Sequence, residues 1–193
     1  MEREVLLSGI GGQGVQLAAQ VLAEACLAEG RDVQLFGSYG GMMRGGNTDA
    51  TVVVADDRVT SPPTVGSAWG AVVLHHEYAR GVLARVRPDG VVLVNTSVWE
   101  GPPATGPWRR VAVPATQLAQ EAGSPMAAAM VLLGALAAHT GLVTPAALAA
   151  AARACVPAYR TQHLAGNERA LDAGAAAVEA GAVAAWPAAP ARS

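Results

Sequence analysis

The chain has 193 residues, a formal net charge of −2 at pH 7 and a hydrophobic fraction of 52%, so it can bury one substantial core. Its slightly acidic balance offers no basic face to a nucleic acid, and we expect no nucleic-acid partner. All thirteen basic residues are arginine, which excludes a Schiff-base lysine and the lysine of a P-loop nucleotidase.

The first half of the chain alternates short apolar runs with helical patterns. Residues 3–9 predict a buried strand, and the helix that follows runs from about Gly12 to Glu29, with Gly30 as its stop signal. A second helix is predicted over residues 77–87. Further short apolar runs predict strands over residues 32–36, 50–56, 70–75, 90–95 and 109–114.

The second half is predicted to be helical. Ser124 and Thr144 each precede a proline, which is the pattern of an N-cap followed by proline at the first helical position. A final helix is predicted from near Thr161 towards Ala185. We therefore expect an α/β fold, a Rossmann-like, mostly parallel sheet flanked by helices, with a helical C-terminal part.

Residues 1–185 are predicted to form a single domain, and residues 186–193 a flexible tail. The N-terminus lacks the pattern of a signal peptide, and the most apolar stretch, residues 126–138, is too short to span a membrane. Cys26 and Cys155 lie far apart in helical patterns, so they are expected to be core thiols and cannot alone hold an iron–sulfur cluster. We expect a cytoplasmic protein without membrane association.

A glycine-rich turn joins the first strand to the first helix. Gly9, Gly11 and Gly14 have the spacing of a dinucleotide fingerprint, and the amides at the helix start could hold an anion. An NAD site also needs a carboxylate at the end of the second strand, where residues 36–38 are Phe, Gly and Ser. Three interpretations of this turn therefore remain open: it forms a nucleotide site, it is needed only for packing, or it has another use.

A second loop together with the strand after it, "SYGGMMRGGNTDATVVV" at residues 38–54, is the more specific signal. Arg44 precedes two glycines, Gly45 and Gly46, so its guanidinium stands beside backbone that can fold closely over a ligand. An arginine in this setting can bind a phosphate or a carboxylate in bidentate fashion. The alternative is a solvated arginine in a surface loop.

Together, "GIGGQGVQLAAQVLAEA", "SYGGMMRGGNTDATVVV" and "VTSPP" resemble the gamma subunit of 2-oxoacid:ferredoxin oxidoreductases. The late stretches "MVLLGALAAHTGLV" and "NERALDAG" are similar to that family's C-terminal helices. The resemblance runs from about Val5 to Gly174. The form of the second loop is most similar to the 2-oxoglutarate and branched-chain 2-oxoacid members.

The resemblance implies a division of labour between subunits. Alpha and beta subunits form a thiamine diphosphate site with Mg, and the iron–sulfur clusters lie on the beta subunit and often on a ferredoxin-like delta subunit. The complex oxidatively decarboxylates a 2-oxoacid, passes electrons to ferredoxin and gives an acyl-CoA. This chain would hold no cofactor or metal alone and would complete the active-site region beside coenzyme A. Arg44 is the candidate catalytic residue, and the expected binding residues are Gly9, Gly11, Gly12, Gln13, Gly14, Ser38, Tyr39, Arg44, Gly45, Gly46, Asn47 and Thr48.

The chain also departs from the family pattern. Members usually have proline and glutamate where Gly41 and Met42 stand, and often an asparagine near Ala129. The alternative function is a stand-alone Rossmann-like nucleotide-binding protein or an NAD(P)-dependent dehydrogenase. Finally, His75 and His76 close a predicted strand, where neighbouring side chains point to opposite faces, so we expect no metal site there.

Overall fold

The computed structural model describes residues 1–39, 46–62 and 64–187, and it centres on one six-stranded sheet. The strands are β1 (Glu2–Ile10), β2 (Asp32–Tyr39), β3 (Asn47–Ala55), β4 (Ala68–Val73), β5 (Val86–Asn95) and β6 (Arg109–Val113). Their spatial order is β2-β3-β1-β4-β5-β6, and the neighbours from β1 to β6 pair in parallel. The predicted α/β class and mostly parallel sheet are confirmed.

Strand β3 is the exception, because it pairs antiparallel with both β1 and β2. Residues 40–46 alone join β2 to β3, and a parallel crossover needs about a dozen residues or more. The two strands therefore form a hairpin, and β3 lies between β2 and β1.

Helices cover the sheet on both faces. They are α1 (Val15–Ala28), α2 (Ala79–Leu83), α3 (Ala115–Glu121), α4 (Ala128–Thr140), α5 (Pro145–Cys155) and α6 (Leu164–Ala176). Short 3₁₀ segments occupy His76–Tyr78, Thr96–Val98 and Ala158–His163. Within the part of the chain that the structure describes, no helix combines the length and apolar character needed to cross a membrane.

Alternation along β1 divides the core between the two faces. Leu7 packs in the larger core with Leu22 of α1 and Leu132 of α4, whereas Leu6 faces the other way, in a smaller core with Val82 of α2. Burying each of these leucines contributes about 1.5–3 kcal/mol. The two cores fix β1 at the centre of the fold, with its carboxyl end at the glycine-rich turn.

The helix predicted over residues 77–87 is much shorter than expected. Helix α2 ends at Leu83, and β5 already begins at Val86. Two features favour a strand instead of a helix at the start of β5. Pro88 disfavours a helical conformation at the residue before it, and the Arg87 guanidinium donates a 2.9 Å hydrogen bond to the buried carboxylate of Glu4.

The predicted final helix is also wrong at its C-terminal end, since α6 stops at Ala176. Gly181 adopts a φ of 68°, and its amide donates to the carbonyl of Ala138 in α4. The amides of Val183 and Ala185 continue this pattern along the last turn of α4. The segment after α6 therefore satisfies carbonyl groups that the end of α4 leaves without helical partners.

The first residue of the predicted tail is anchored. The Trp186 ring lies under the Arg31 guanidinium at 3.7 Å, and its Nε1 donates to the carbonyl of Leu142 at 3.0 Å. Residues 188–193, which make up the rest of that tail, lie outside the described residues.

One of the two predicted proline-linked caps is confirmed. Thr144 caps α5, because its side chain accepts a hydrogen bond from the Ala147 amide and Pro145 is the first helical residue. Ser124 does not cap a helix, since α4 begins only at Ala128. Its hydroxyl instead lies against Gly166 of α6, 2.8 Å from where a Cβ on that glycine would stand.

Candidate functional site

The glycine-rich turn between β1 and α1 is held closed by Gln13. The Gln13 amide donates to the Ile10 carbonyl at 3.0 Å, and its side-chain Oε1 accepts from the Ile10 amide at 2.8 Å. Gly12 and Gly14 have φ values of 101° and 81°, a conformation that favours glycine. The glycines and the glutamine thus fix the path of the chain into α1.

The two loops singled out from the sequence meet in space. The Gly11 amide donates a 2.9 Å hydrogen bond to the carbonyl of Gly46. The β1–β3 register places Gly9 opposite Thr48 and Ile10 opposite Asn47. The glycine turn and the end of the hairpin loop therefore lie side by side at the carboxyl end of β1.

The remaining predicted site residues divide into two groups. Ser38 and Tyr39 are the last residues of β2, in register with Asp49 and Thr48 of β3, so their backbone lies at the same edge. Arg44 and Gly45 lie outside the described residues.

Two helix N-termini converge on the glycine turn. Helix α1 begins after Gly14 and α4 after Ala127, and neither has a side-chain cap or an acidic residue in its first turn. A Cβ on Gly14 would stand 3.8 Å from the Cβ of Ala129, so the two helix starts are in contact. The dipoles of both helices favour a negative charge at this edge.

A cluster of polar side chains connects the β2–β3 hairpin to α1. Gln16 of α1 donates through Nε2 to the Asp49 carbonyl at 2.9 Å, and its Oε1 occupies the space that a Cβ on Gly37 would need. Asn47 Nδ2 donates to Asp49 Oδ2 at 2.8 Å. Sequence reasoning missed Gln16 and Asp49. The available signals were a polar residue in the first turn of α1 and an acidic residue directly after the expected binding residues Asn47 and Thr48.

An open groove of about 480 Å³ extends from this cluster across the other face of the sheet. Asn47 and Asp49 line one side, and Tyr78, Arg80 and Arg85 line the other. The arginines were part of a predicted helix, but no sequence pattern placed them opposite β3. The groove lining thus combines two guanidinium groups, those of Arg80 and Arg85, with two carboxylates, those of Asp49 and Glu77.

The two adjacent histidines do not point to opposite faces as expected. Strand β4 ends at Val73, and the rings of His75 and His76 stack with centroids 4.6 Å apart. The chain has left the strand before these residues, so the alternation of a strand no longer applies. His76 Nδ1 lies 2.9 Å from the Val98 carbonyl. Among the residues with described positions, no group of three or more metal-ligating side chains is found.

Neither cysteine is suited to act as a nucleophile. Burial raises the pKa of the Cys26 thiol to about 12, and burial also raises the pKa of the half-buried Cys155. Both therefore stay protonated at neutral pH, where only a thiolate would react.

The whole sheet-and-helix unit is similar to known oxidoreductase subunits. A family model described as pyruvate ferredoxin/flavodoxin oxidoreductase matches residues 4–177. A solved structure of the keto/oxoacid ferredoxin oxidoreductase gamma subunit from Geobacter sulfurreducens superimposes with a TM-score of 0.74 at 29% identity, covering 91% of this chain and 97% of that one.

Relatives by sequence have related names. The 2-oxoglutarate synthase subunit KorC of Archaeoglobus fulgidus is 35% identical over 145 residues, which cover 74% of each chain. The ketoisovalerate oxidoreductase subunit VorA of Methanothermobacter marburgensis is 33% identical over 133 residues. The match covers 69% of this chain and only 27% of VorA, so this chain corresponds to about a quarter of that longer protein.

Proposed function

Because the chain belongs to the pyruvate ferredoxin/flavodoxin oxidoreductase family, as one of its gamma-type subunits, we propose that it works within a hetero-oligomeric 2-oxoacid:ferredoxin oxidoreductase. The complex oxidatively decarboxylates a 2-oxoacid, gives an acyl-CoA and reduces ferredoxin. Alpha and beta subunits supply thiamine diphosphate, Mg and iron–sulfur clusters, with a ferredoxin-like delta subunit as a further partner. Thiamine diphosphate supplies the carbanion chemistry when bound.

The meeting of the two glycine loops supports a role for this chain beside the active site. The Gly11–Gly46 hydrogen bond holds the hairpin loop against the start of α1, where two uncapped helix N-termini favour an anion. Coenzyme A carries phosphates and a 2-oxoacid carries a carboxylate, so either would find a favourable potential there. The chain thereby completes the binding region without contributing a redox group.

The residues of the second loop have a specific role in this proposal. Arg44 neutralises a phosphate or carboxylate at this edge, and Gly45 and Gly46 let the backbone approach it closely. Ser38, Tyr39, Asn47 and Thr48 flank the bound group as hydrogen-bonding side chains. In the first loop, Gly12 and Gly14 shape the turn at the start of α1, which Gln13 closes.

The chemistry that the chain lacks also favours a subunit role. It has no lysine, Cys26 is buried and inert, and no metal-ligating cluster occurs in the described ranges. A stand-alone dehydrogenase would use the turn for a dinucleotide, whose pyrophosphate needs free amides there. The Gly11 amide is already paired with Gly46, which counts against that alternative.

The experiment is co-purification followed by an activity assay. The tagged chain is expressed with its candidate alpha and beta partners, and the purified assembly is tested for viologen dye reduction that requires both a 2-oxoacid and CoA. We expect activity from the assembly and none from this chain alone. Turnover by the isolated chain, or tight binding of NAD(P) in the absence of partners, would establish the alternative instead.

A further inference from the structure

Gln16 of α1 lies against both strands of the β2–β3 hairpin, at the edge of the sheet that carries the glycine turn. Its Nε2 donates to the Asp49 carbonyl of β3 at 2.9 Å. A carbonyl oxygen can only accept, so the amide nitrogen of Gln16 faces β3 and its amide oxygen faces Gly37 of β2. A Cβ on Gly37 would stand 2.3 Å from that oxygen, and the three atoms nearest to it would all belong to Gln16. One side chain therefore connects α1 to β2 and β3 together.

Gly37 is required here by space and not by backbone conformation. Its φ is not positive, so another residue could adopt the same backbone. A glycine inside a strand otherwise weakens the strand, because it has no side chain to pack. The carboxamide of Gln16 fills the place where that side chain would lie. The glycine in the strand and the glutamine in the helix therefore explain each other.

The same arrangement occurs three residues earlier in the chain. Gln13 Oε1 lies 2.7 Å from where a Cβ on Gly9 of β1 would stand, and Gly9 also has no positive φ. Gln13 fixes the end of β1 to the start of α1 through the Ile10 amide. Gln16 then does for the hairpin what Gln13 does for the glycine turn, so both loops are tied to the same end of α1.

The end of β2 depends on this contact more than the other strands do. Strand β2 is at the edge of the sheet and pairs only with β3, and residues 34–36 are exposed. The end of an edge strand opens more easily than the centre of a sheet. The expected binding residues at 38–39 follow Gly37 directly, and those at 47–48 precede Asp49 directly. The Gln16 contacts thus lie next to both groups.

We propose that Gln16 is a positioning residue, which holds the ends of β2 and β3 in place relative to the glycine turn. It acts through the hairpin backbone and keeps the residues at 38–39 and 47–48 arranged for an anionic ligand. This inference rests on the function proposed above, because the ligand is the anion of that site. Without Gln16 the strands still pair, but the end of the hairpin samples more positions, which weakens binding more than it slows the chemical step.

The first test measures hydrogen exchange in the full chain alone, at the amides of residues 36–39 that bond to β3. Gln16→Ala should speed their exchange about three- to tenfold, the effect of losing one hydrogen bond, and leave the amides of β4 and β5 unchanged. Gly37→Ala should do the same, since its methyl group displaces the flexible carboxamide. Combining the two should speed exchange no further, because the contact is already lost. The matched control is Gln20→Ala, an exposed glutamine one turn further along α1, which should leave exchange unchanged.

The second test measures steady-state kinetics of the complex assembled with its partner subunits. Gln16→Ala and Gly37→Ala should each raise the apparent KM for CoA or for the 2-oxoacid about threefold or more, with a smaller effect on kcat. A residue that served stability alone would lower the amount of active complex, and so the apparent kcat, at an unchanged KM.

The proposal is overturned if either single substitution leaves the exchange at residues 36–39 unchanged, or if their effects add in the double variant. It is also overturned if kcat falls while both KM values stay constant. A wild-type assembly without activity would refute the function proposed above, and hydrogen exchange in the chain alone would still decide whether Gln16 holds the hairpin.

Discussion

Gly174 of α6 lies directly against Val131 of α4, so closely that a Cβ on the glycine would overlap the Val131 carbonyl oxygen. Gly134 of α4 has the same relation to Leu171 of α6. Each helix thus presents one glycine to the backbone of the other. The helical C-terminal part therefore contains a crossing of α4 and α6 that is too close for a side chain at either glycine position.

Replacing Gly174 with alanine is therefore expected to destabilise the fold. The added methyl group meets backbone, which cannot rotate away, so the free energy of unfolding should fall by about 1–3 kcal/mol or more. Urea denaturation followed by circular dichroism measures the change. The matched control is Gly81→Ala in α2, where nothing lies within 4 Å of the added Cβ. That variant should be neutral or more stable by up to about 1 kcal/mol, and equal losses in both would contradict the close crossing.

The cap of α5 offers a second stability test. Thr144→Ala removes the hydroxyl that accepts from the Ala147 amide at 3.3 Å, and should cost about 0.5–2 kcal/mol in denaturant unfolding. The backbone amide of Thr144 donates separately to the Glu29 carboxylate at 2.8 Å, and that bond is unaffected. Thr144→Ser keeps the accepting oxygen and should retain most of the stability. A serine variant as unstable as the alanine one would show that the methyl group, and not the cap, matters.

Elements with strong local signals could be predicted from the sequence. Strand β1, helix α1 and the Thr144 cap each have apolar periodicity or capping residues that act within a few positions. The antiparallel β3 was also within reach, since residues 40–46 are too few for a crossover. The early end of α6 could not be predicted from the sequence, because it depends on hydrogen bonds from the segment at 181–185 to α4.

The candidate site divides in the same way. The glycine turn was located by the spacing of its glycines. The combination of this turn with the second loop indicated a resemblance to gamma subunits, and that resemblance is confirmed. Arg80 and Arg85 could not be placed, because only the sheet register and the packing of α2 bring them opposite Asp49. Neither the adjacency of His75 and His76 nor their strand-like context predicted stacked rings.

Glu2 makes the free energy of unfolding depend on pH in the acid range. Its carboxylate accepts hydrogen bonds from Ser61 and Thr60, which lower its pKa from 4.5 to about 2. Because the pKa is lower in the folded state, the stabilisation is complete above about pH 4.5 and is lost as the pH falls towards 2. Glu2→Gln should therefore be less stable than the wild type at neutral pH, and the two should converge in acid.

The midpoint of urea unfolding, measured for both proteins across this pH range, tests the expected pH dependence. The control is Asp57→Asn, which removes an exposed carboxylate nearby and should run parallel to the wild type. A constant offset between Glu2→Gln and the wild type down to pH 2 would show that the Ser61 and Thr60 contacts do not depend on the charge.

Arg44 provides the sharpest test of the proposed active-site role. Arg44→Ala should leave co-purification with the partner subunits intact, since the Gly11–Gly46 contact between the two loops joins backbone atoms. It should lower turnover or raise the apparent CoA requirement about tenfold or more, because a charge-assisted hydrogen bond to a bound anion is lost. Arg44→Lys keeps the charge but not the bidentate geometry and should recover part of the activity. Arg58→Ala is the control for removing one exposed positive charge, and kinetics in Arg44→Ala no different from this control would remove Arg44 from the site.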